Sequence, residues 1–270
     1  MRENTVKRLW SQGKPTVGAW LSIPDSFSAE VMAHVGFDWL CIDMQHGVID
    51  YSQAVPMLQA ISTTDVIPLA RVPWNEPSII MKMLDAGAWG VVVPLINTRA
   101  DAEAAVAACR YPPLGIRSYG PTRASVYAGA DYASRANDQV LCIVMIETKK
   151  ALENLDGIMS VPGVDACYIG PADLSYALGL PPRTDSDEPA HVAAVARILD
   201  SARRHGVAPG IHTGSPTFAA RCIEQGFQMV TLTSDATCMG RGAWQELREL
   251  RELRELTKTE AAAPPTPSEA

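Results

Sequence analysis

The feature that most constrains this chain is a repeated alternation. Short, near-continuous apolar runs are separated by longer amphipathic stretches. Eight runs read as strands: Thr16–Ser22, Trp39–Met44, Val66–Arg71, Gly90–Ile96, Leu141–Glu147, Ala166–Ile169, Ala208–His212 and Met229–Thr233. Strands covered on both faces are apolar throughout rather than alternating, and that is the habit of a parallel sheet wrapped in helices. Helix-length stretches lie between them: Ser26–Val35, Tyr51–Ser62, Glu76–Ala86, Arg99–Cys109, Lys149–Met159, Pro189–His205 and Ser215–Gln225. Asp25 or Ser26 can cap the first of these, and Gly87, Gly206 and Gly226 each stand just past a helix, where a left-handed cap favours glycine. Eight strand–helix alternations predict an α/β fold of the closed TIM (β/α)8 barrel type, whereas six or seven would point to a doubly wound sheet. A chain of 270 residues suits one such barrel.

Two stretches break the rhythm. Tyr111–Tyr132 is rich in Pro, Gly, Arg and Tyr, and Gly179–Glu188 is a second Pro-rich loop. Both are expected to be active-site loops or oligomer contacts. Gln245–Leu256 repeats Glu-Leu-Arg, and a period of three drifts around a 3.6-residue helix instead of forming a fixed seam. An extra C-terminal helix that packs on another subunit is expected there. The domain reading is one barrel with its C-terminal helix over residues 1–257, followed by a disordered Pro/Ala-rich tail over 258–270.

Composition narrows the partners. The net charge is −7 and Lys/Arg residues form no cluster, so no nucleic-acid partner is expected. A small anionic substrate remains compatible, since local Arg residues or a metal outweigh a global charge. None of the six Cys forms a CxxC pair, and several sit inside apolar runs, as core thiols do in a reducing compartment. Arg2, Glu3, Lys7 and Arg8 are not followed by an apolar stretch, and no apolar run approaches a membrane span; no membrane partner and a cytoplasmic address are expected.

In a barrel, reactive groups stand at the C-terminal ends of strands. That rule selects Asp43 to His46, Arg71, Glu147, Asp173, and His212 with Thr213. Glu147 follows six apolar residues, a costly place for a carboxylate without a cation, a metal or solvent. Asp173 lies 26 residues on, one βα unit away, so the two carboxylates fall on neighbouring strands. A divalent cation would relieve their repulsion, and an all-oxygen pair suits Mg or Mn and also admits Co or Zn. Either residue could instead cap the following helix. His46 has Asp43 three residues before it, and a carboxylate bonded to the ring would orient an imidazole base; an ordinary loop His is the alternative. Arg71 offers a fork for a carboxylate or enolate oxygen, or a structural ion pair. Gly170, Pro171 and Ala172 make a tight turn at a helix start, able to hold an anion. Neither nucleotide-binding glycine motif occurs, and no strand contains the Lys that a Schiff-base aldolase needs.

The blocks FDWLCIDMQHG (Phe37–Gly47), PLARVPWNE (Pro68–Glu76), LDAGAWGVVVPLI (Leu84–Ile96), YPPLGIRSYGPTRAS (Tyr111–Ser125), MIETKKALENLDGI (Met145–Ile158) and YIGPADLSYALG (Tyr168–Gly179) carry a resemblance. Over Thr16–Met239 the chain resembles the HpcH/HpaI aldolases, the class II pyruvate aldolases such as 4-hydroxy-2-oxoheptanedioate aldolase. The resemblance implies a metal held by Glu147 and Asp173 and chelated by pyruvate, with the enolate stabilised by the metal and Arg71. It also implies His46 as base with Asp43 behind it, and the Gly170–Ala172 backbone on the pyruvate carboxylate. A homohexamer in which Asp85 reaches a neighbouring subunit's site is implied as well. The sequence departs from the family where Met145 replaces a frequent Gln and Gln45 a frequent Glu, which bears on the acceptor aldehyde. Three alternatives share the barrel: a citrate-lyase-β-type lyase of CoA thioesters, an oxaloacetate decarboxylase, and a non-catalytic barrel serving as an assembly module.

Overall fold

The computed structural model describes residues 1–261, with side chains through 254. Eight parallel strands close into a barrel in the order β1 to β8: Thr16–Leu21, Trp39–Asp43, Ile67–Arg71, Gly90–Val93, Leu141–Ile146, Ala166–Ile169, Ala208–Ile211 and Met229–Ser234. Closure is made by β8 pairing with β1. All eight predicted runs are strands, with ends displaced by a residue or a few. Leu40, Ile42 and Ile169 on one face of their strands and Val92 and Ile143 on the other are all fully buried, so continuous apolarity marks each strand more clearly than alternation does.

The helices follow the predicted stretches, with Arg99–Cys109 and Pro189–His205 reproduced to the residue. Capping explains several starts. Asp25 accepts the Ser28 N–H at 2.7 Å, and Thr98 and Asp101 form a capping box. Gly206, in the left-handed region at φ 68°, ends Pro189–His205. The stretch Lys149–Met159 is divided at Asn154 into Lys149–Glu153 and Leu155–Met159.

Short helices at Thr5–Ser11, Thr122–Ala128, Tyr132–Gln139 and Pro171–Ala177 add to the expected set. Tyr111–Tyr132 is therefore not an open loop. It leads from a helix into β5, so it lies at the end of the strands where they begin, opposite the end that carries the candidate residues. Its buried Arg117 ties it down by donating to Asp85 at 2.7 Å and to the Tyr132 hydroxyl at 3.1 Å.

The chain divides into a unit of Met1–Asp235 and a second unit that begins at Ala236. The C-terminal helix is longer than expected, Asp235–Ala261, and exposes Trp244, Leu247, Leu250 and Leu253. It extends into the segment expected to be a tail; residues 262–270 lie outside the described residues. No described helix is long and apolar enough to cross a membrane.

Candidate active site

Strand register builds the site. Asp43 and Arg71 are the last residues of β2 and β3 and face each other across that pair. The Arg71 fork donates to both Asp43 oxygens, from Nε at 2.9 Å and from Nη2 at 2.6 Å. Asp43 Oδ1 also accepts the backbone N–H groups of Gln45 and His46, each at 3.1 Å. Burial works to raise the Asp43 carboxyl, but the guanidinium and the two amides outweigh it and hold it below the usual range. The expected bond from Asp43 to the His46 ring is replaced by one to the His46 backbone. The carboxylate fixes the loop after β2, and the exposed imidazole makes no hydrogen bond among the described residues.

On the next side of the barrel, Met145 pairs with Tyr168 and Ile146 with Ile169. Glu147 and Gly170 therefore follow at the same level on neighbouring strands. Glu147 is only 3% exposed. Its Oε1 accepts the Leu95 N–H at 2.8 Å, and Leu95 holds the left-handed conformation, φ 55°, that a non-glycine residue rarely adopts. Its Oε2 faces the bare α-carbon of Gly170, where a methyl group would stand 2.5 Å away. Burial raises the Glu147 carboxyl to about 7, the Asp173 charge adds to this, and the Leu95 amide and Arg71 oppose it. Glu147 is not a helix cap: Thr148 caps Lys149–Glu153 by accepting the Ala151 N–H. Asp173 stands in the first turn of Pro171–Ala177.

Arg71, Met145, Tyr168, Gly170, Pro171, Ala172, Asp173, Thr184 and His212 line one pocket of about 180 Å³ at the C-terminal ends of the strands. Pro171 has no N–H, so the free amides of this helix start belong to Ala172 and Asp173. Thr184 comes from the Pro-rich Gly179–Glu188 segment, so that segment reaches the site. Asp85 does not line the pocket. It ends the helix before β4, paired with Arg117, and burial raises its carboxyl.

Sequence reasoning passed over the floor of this pocket. Trp20 places its ring 4.3 Å under the Arg71 guanidinium, and its N–H reaches Tyr168 and Thr231. All three residues are buried. An aromatic residue inside an otherwise small or aliphatic strand was the available signal, at Trp20 in β1 and Tyr168 in β6; Thr231, one of three hydroxyl residues in β8, gave none.

A closed α/β barrel whose pocket is lined by Asp173, Arg71 and a helix start, with Glu147 buried beside it, is compatible with a carbon–carbon lyase, and comparison with known proteins assigns that class. Residues 16–240 match the model of the HpcH/HpaI aldolase/citrate lyase family. A hydroxypyruvate/pyruvate aldolase from Rhizorhabdus wittichii is 41% identical over 242 residues, 90% of this chain and 96% of that one. A 4-hydroxy-2-oxo-heptane-1,7-dioate aldolase from Escherichia coli is 39% identical, covering 89% of this chain and 92% of the relative. The crystal structure of an HpcH/HpaI aldolase/citrate lyase family protein from Burkholderia cenocepacia superposes with a TM-score of 0.86 at 36% identity, over 92% of this chain and 99% of that chain. The chain belongs to the HpcH/HpaI aldolase/citrate lyase family, and it is an aldolase, an enzyme that acts on carbon–carbon bonds.

Proposed function

We propose that the enzyme is a divalent-metal-dependent aldolase that cleaves a 4-hydroxy-2-oxo acid to pyruvate and an aldehyde and runs the reverse addition. The observation that carries this reading is the buried Glu147 carboxylate, raised to about 7 by burial and the nearby Asp173 charge, beside a pocket that Asp173 and Arg71 line. The donor set fits a hard cation: two carboxylates, oxygen only, with Gly170 leaving Glu147 Oε2 uncovered. Glu147 and Asp173 would be the protein's ligands and would leave positions for substrate and water. Mg, Mn or Co suits this set, and Zn is admissible. When bound, such a cation supplies Lewis-acid charge to the keto group of a 2-oxo acid.

The chain's own groups supply the rest. Arg71, held rigid by Asp43 and stacked on Trp20, presents fixed positive charge where negative charge develops on the keto oxygen. The amides of Ala172 and Asp173 receive the substrate carboxylate. His46 takes the proton from the C4 hydroxyl as the C3–C4 bond breaks, the bond's electron pair passes into the three-carbon fragment, and a proton returned at C3 gives pyruvate. The exposed ring of His46 is free to serve as that base, and Asp43 contributes by fixing its loop.

We further propose a cytoplasmic homohexamer in which Asp85 approaches a neighbouring subunit's pocket. Cys41, Cys109, Cys142, Cys167 and Cys222 are buried as thiols rather than joined in disulfides, which agrees with a reducing compartment. Pyruvate release from a panel of 4-hydroxy-2-oxo acids tests the reading, with citramalyl- and malyl-type CoA thioesters as the competing panel. Release from the oxo acids alone supports it, and turnover of the thioesters alone contradicts it.

A further inference from the structure

Beneath the pocket, side chains from four strands form a hydrogen-bonded chain that the reaction above does not use. Trp20 donates its N–H to Tyr168 Oη at 3.1 Å and to Thr231 Oγ1 at 2.8 Å. The Tyr168 and Thr231 hydroxyls bond each other, and Tyr168 Oη meets His212 Nδ1 at 3.2 Å. His212 stands at the end of β7, half-buried in the pocket wall, with its ring 5.8 Å from that of Trp20.

Counting hydrogens orders this chain. The indole can only donate. If Thr231 donates to Tyr168 and Tyr168 donates to His212 Nδ1, every hydrogen has an acceptor. In the opposite order His212 donates from Nδ1 and Tyr168 donates to Thr231. The Thr231 hydrogen then has no acceptor among the described contacts, at a cost of about 1–3 kcal/mol in a buried place. The favoured order makes Nδ1 an acceptor, so the neutral ring carries its proton on Nε2. Burial, with Arg71 nearby, lowers the His212 pKa to about 4, against smaller opposing effects of Asp43 and Asp185, so the ring is neutral at pH 7. Its Nε2 edge is the one turned away from Tyr168. Of the pocket's other lining groups, Met145 has no donor, Arg71 has two of its five N–H groups engaged by Asp43, and Thr184 carries a hydroxyl.

We propose that His212 determines specificity by donating Nε2–H to a substrate hydroxyl, so that the pocket selects a hydroxyl-bearing reactant over its methyl isostere. The inference rests on the aldolase reading for its substrates. A half-buried donor that faces a methyl group goes unpaired, and sites built to bond a hydroxyl reject the analogue without it. The hydroxyl can belong to either partner in the reaction. Hydroxypyruvate against 2-oxobutanoate tests the 2-oxo acid, and glycolaldehyde against propanal tests the aldehyde. Each pair exchanges OH for CH3 at nearly constant size.

The experiment uses the full-length, Mg-loaded protein with ring-15N histidine and follows the His212 resonances as the four compounds are added. In parallel, kcat/KM is measured for both oxo acids with one aldehyde and for both aldehydes with pyruvate. The expected ring has Nε2 protonated and Nδ1 bare, and its Nε2 signal moves with the hydroxyl member of one pair and not with the methyl member. In that pair the hydroxyl compound is favoured by about tenfold or more in kcat/KM. His212→Leu removes the preference and His212→Gln, which keeps a donor, retains part of it. A proton on Nδ1, an equal response to both members of both pairs, or an unchanged preference in His212→Leu overturns the proposal. If no turnover is seen but the resonance still selects the hydroxyl member, the aldolase reading fails and the His212 assignment stands.

Discussion

Glu147 concentrates the chemistry of the site in one side chain. Its carboxyl ordinarily has a pKa of 4.5 and is raised to about 7 by burial, so the native protein holds its proton more tightly than the unfolded chain does. The ion-free protein should therefore lose stability as pH rises from about 4.5 to about 7, and hold a lower plateau above that. Glu147→Gln should flatten this slope and stabilise the ion-free protein at pH 8 by on the order of 2–3 kcal/mol; melting curves against pH in chelator check it, and an unchanged slope would contradict it. Divalent affinity should fall as pH drops below about 7, since the proton competes for the same oxygens. At Arg71 the fork matters as well as the charge. Arg71→Ala leaves buried Asp43 unpaired, which should cost about 3–5 kcal/mol, and it should lower turnover by roughly a hundredfold or more. Arg71→Lys should recover only part of either. His46→Ala should slow cleavage by about a hundred- to ten-thousandfold, with stability changed by less than about 0.5 kcal/mol because the ring is exposed. Calorimetric metal titration should find affinity intact in the His46 variant; lost affinity would make His46 a ligand.

At the scale of elements, the site depends on where β5 and β6 end. The register that sets Ile146 beside Ile169 brings Glu147 level with Gly170, and only the missing side chain leaves room for Oε2. Gly170→Ala should displace the carboxylate and reduce divalent affinity by about ten- to a hundredfold while the far-ultraviolet dichroism of the barrel stays unchanged; unaltered affinity would show that the cation binds elsewhere. These elements were legible in the sequence because burial on both faces makes each barrel strand an apolar run, and a polar residue at its end is conspicuous. Asp43, Arg71 and Glu147 stand at such strand ends, and Asp173 lies in the first turn of the helix after β6. The pairing of Asp43 with Arg71 was not legible, because cross-strand register is a property of the closed sheet and local spacing suggested His46 instead. Trp20 and Thr231 escaped notice because their partners, Tyr168 and each other, come from other strands and only the closed barrel brings them together. The helix Thr122–Ala128 was hidden by the Pro and Gly before it, and its segment is anchored by long-range bonds such as Arg117 to Asp85.

Over the whole molecule, assembly and metal dependence are the consequences to measure. Light scattering should give six copies per particle. If Asp85 serves a neighbour's pocket, Glu147→Gln and Asp85→Asn enzymes, each impaired alone, should regain activity when their subunits are exchanged, because some pockets then receive both intact residues; no recovery in mixed hexamers would confine Asp85 to its pairing with Arg117. The central claim is that a cation held by Glu147 and Asp173 drives carbon–carbon cleavage without a Schiff base, as the absence of Lys from all eight strands suggests. The most direct measurement is pyruvate release from a 4-hydroxy-2-oxo acid by chelator-treated enzyme, before and after addition of Mg, Mn or Co. The account predicts no cleavage in chelator and full recovery on add-back, with neither in the Glu147→Gln enzyme. Undiminished cleavage in chelator, or borohydride trapping of a pyruvate–lysine adduct, would contradict it.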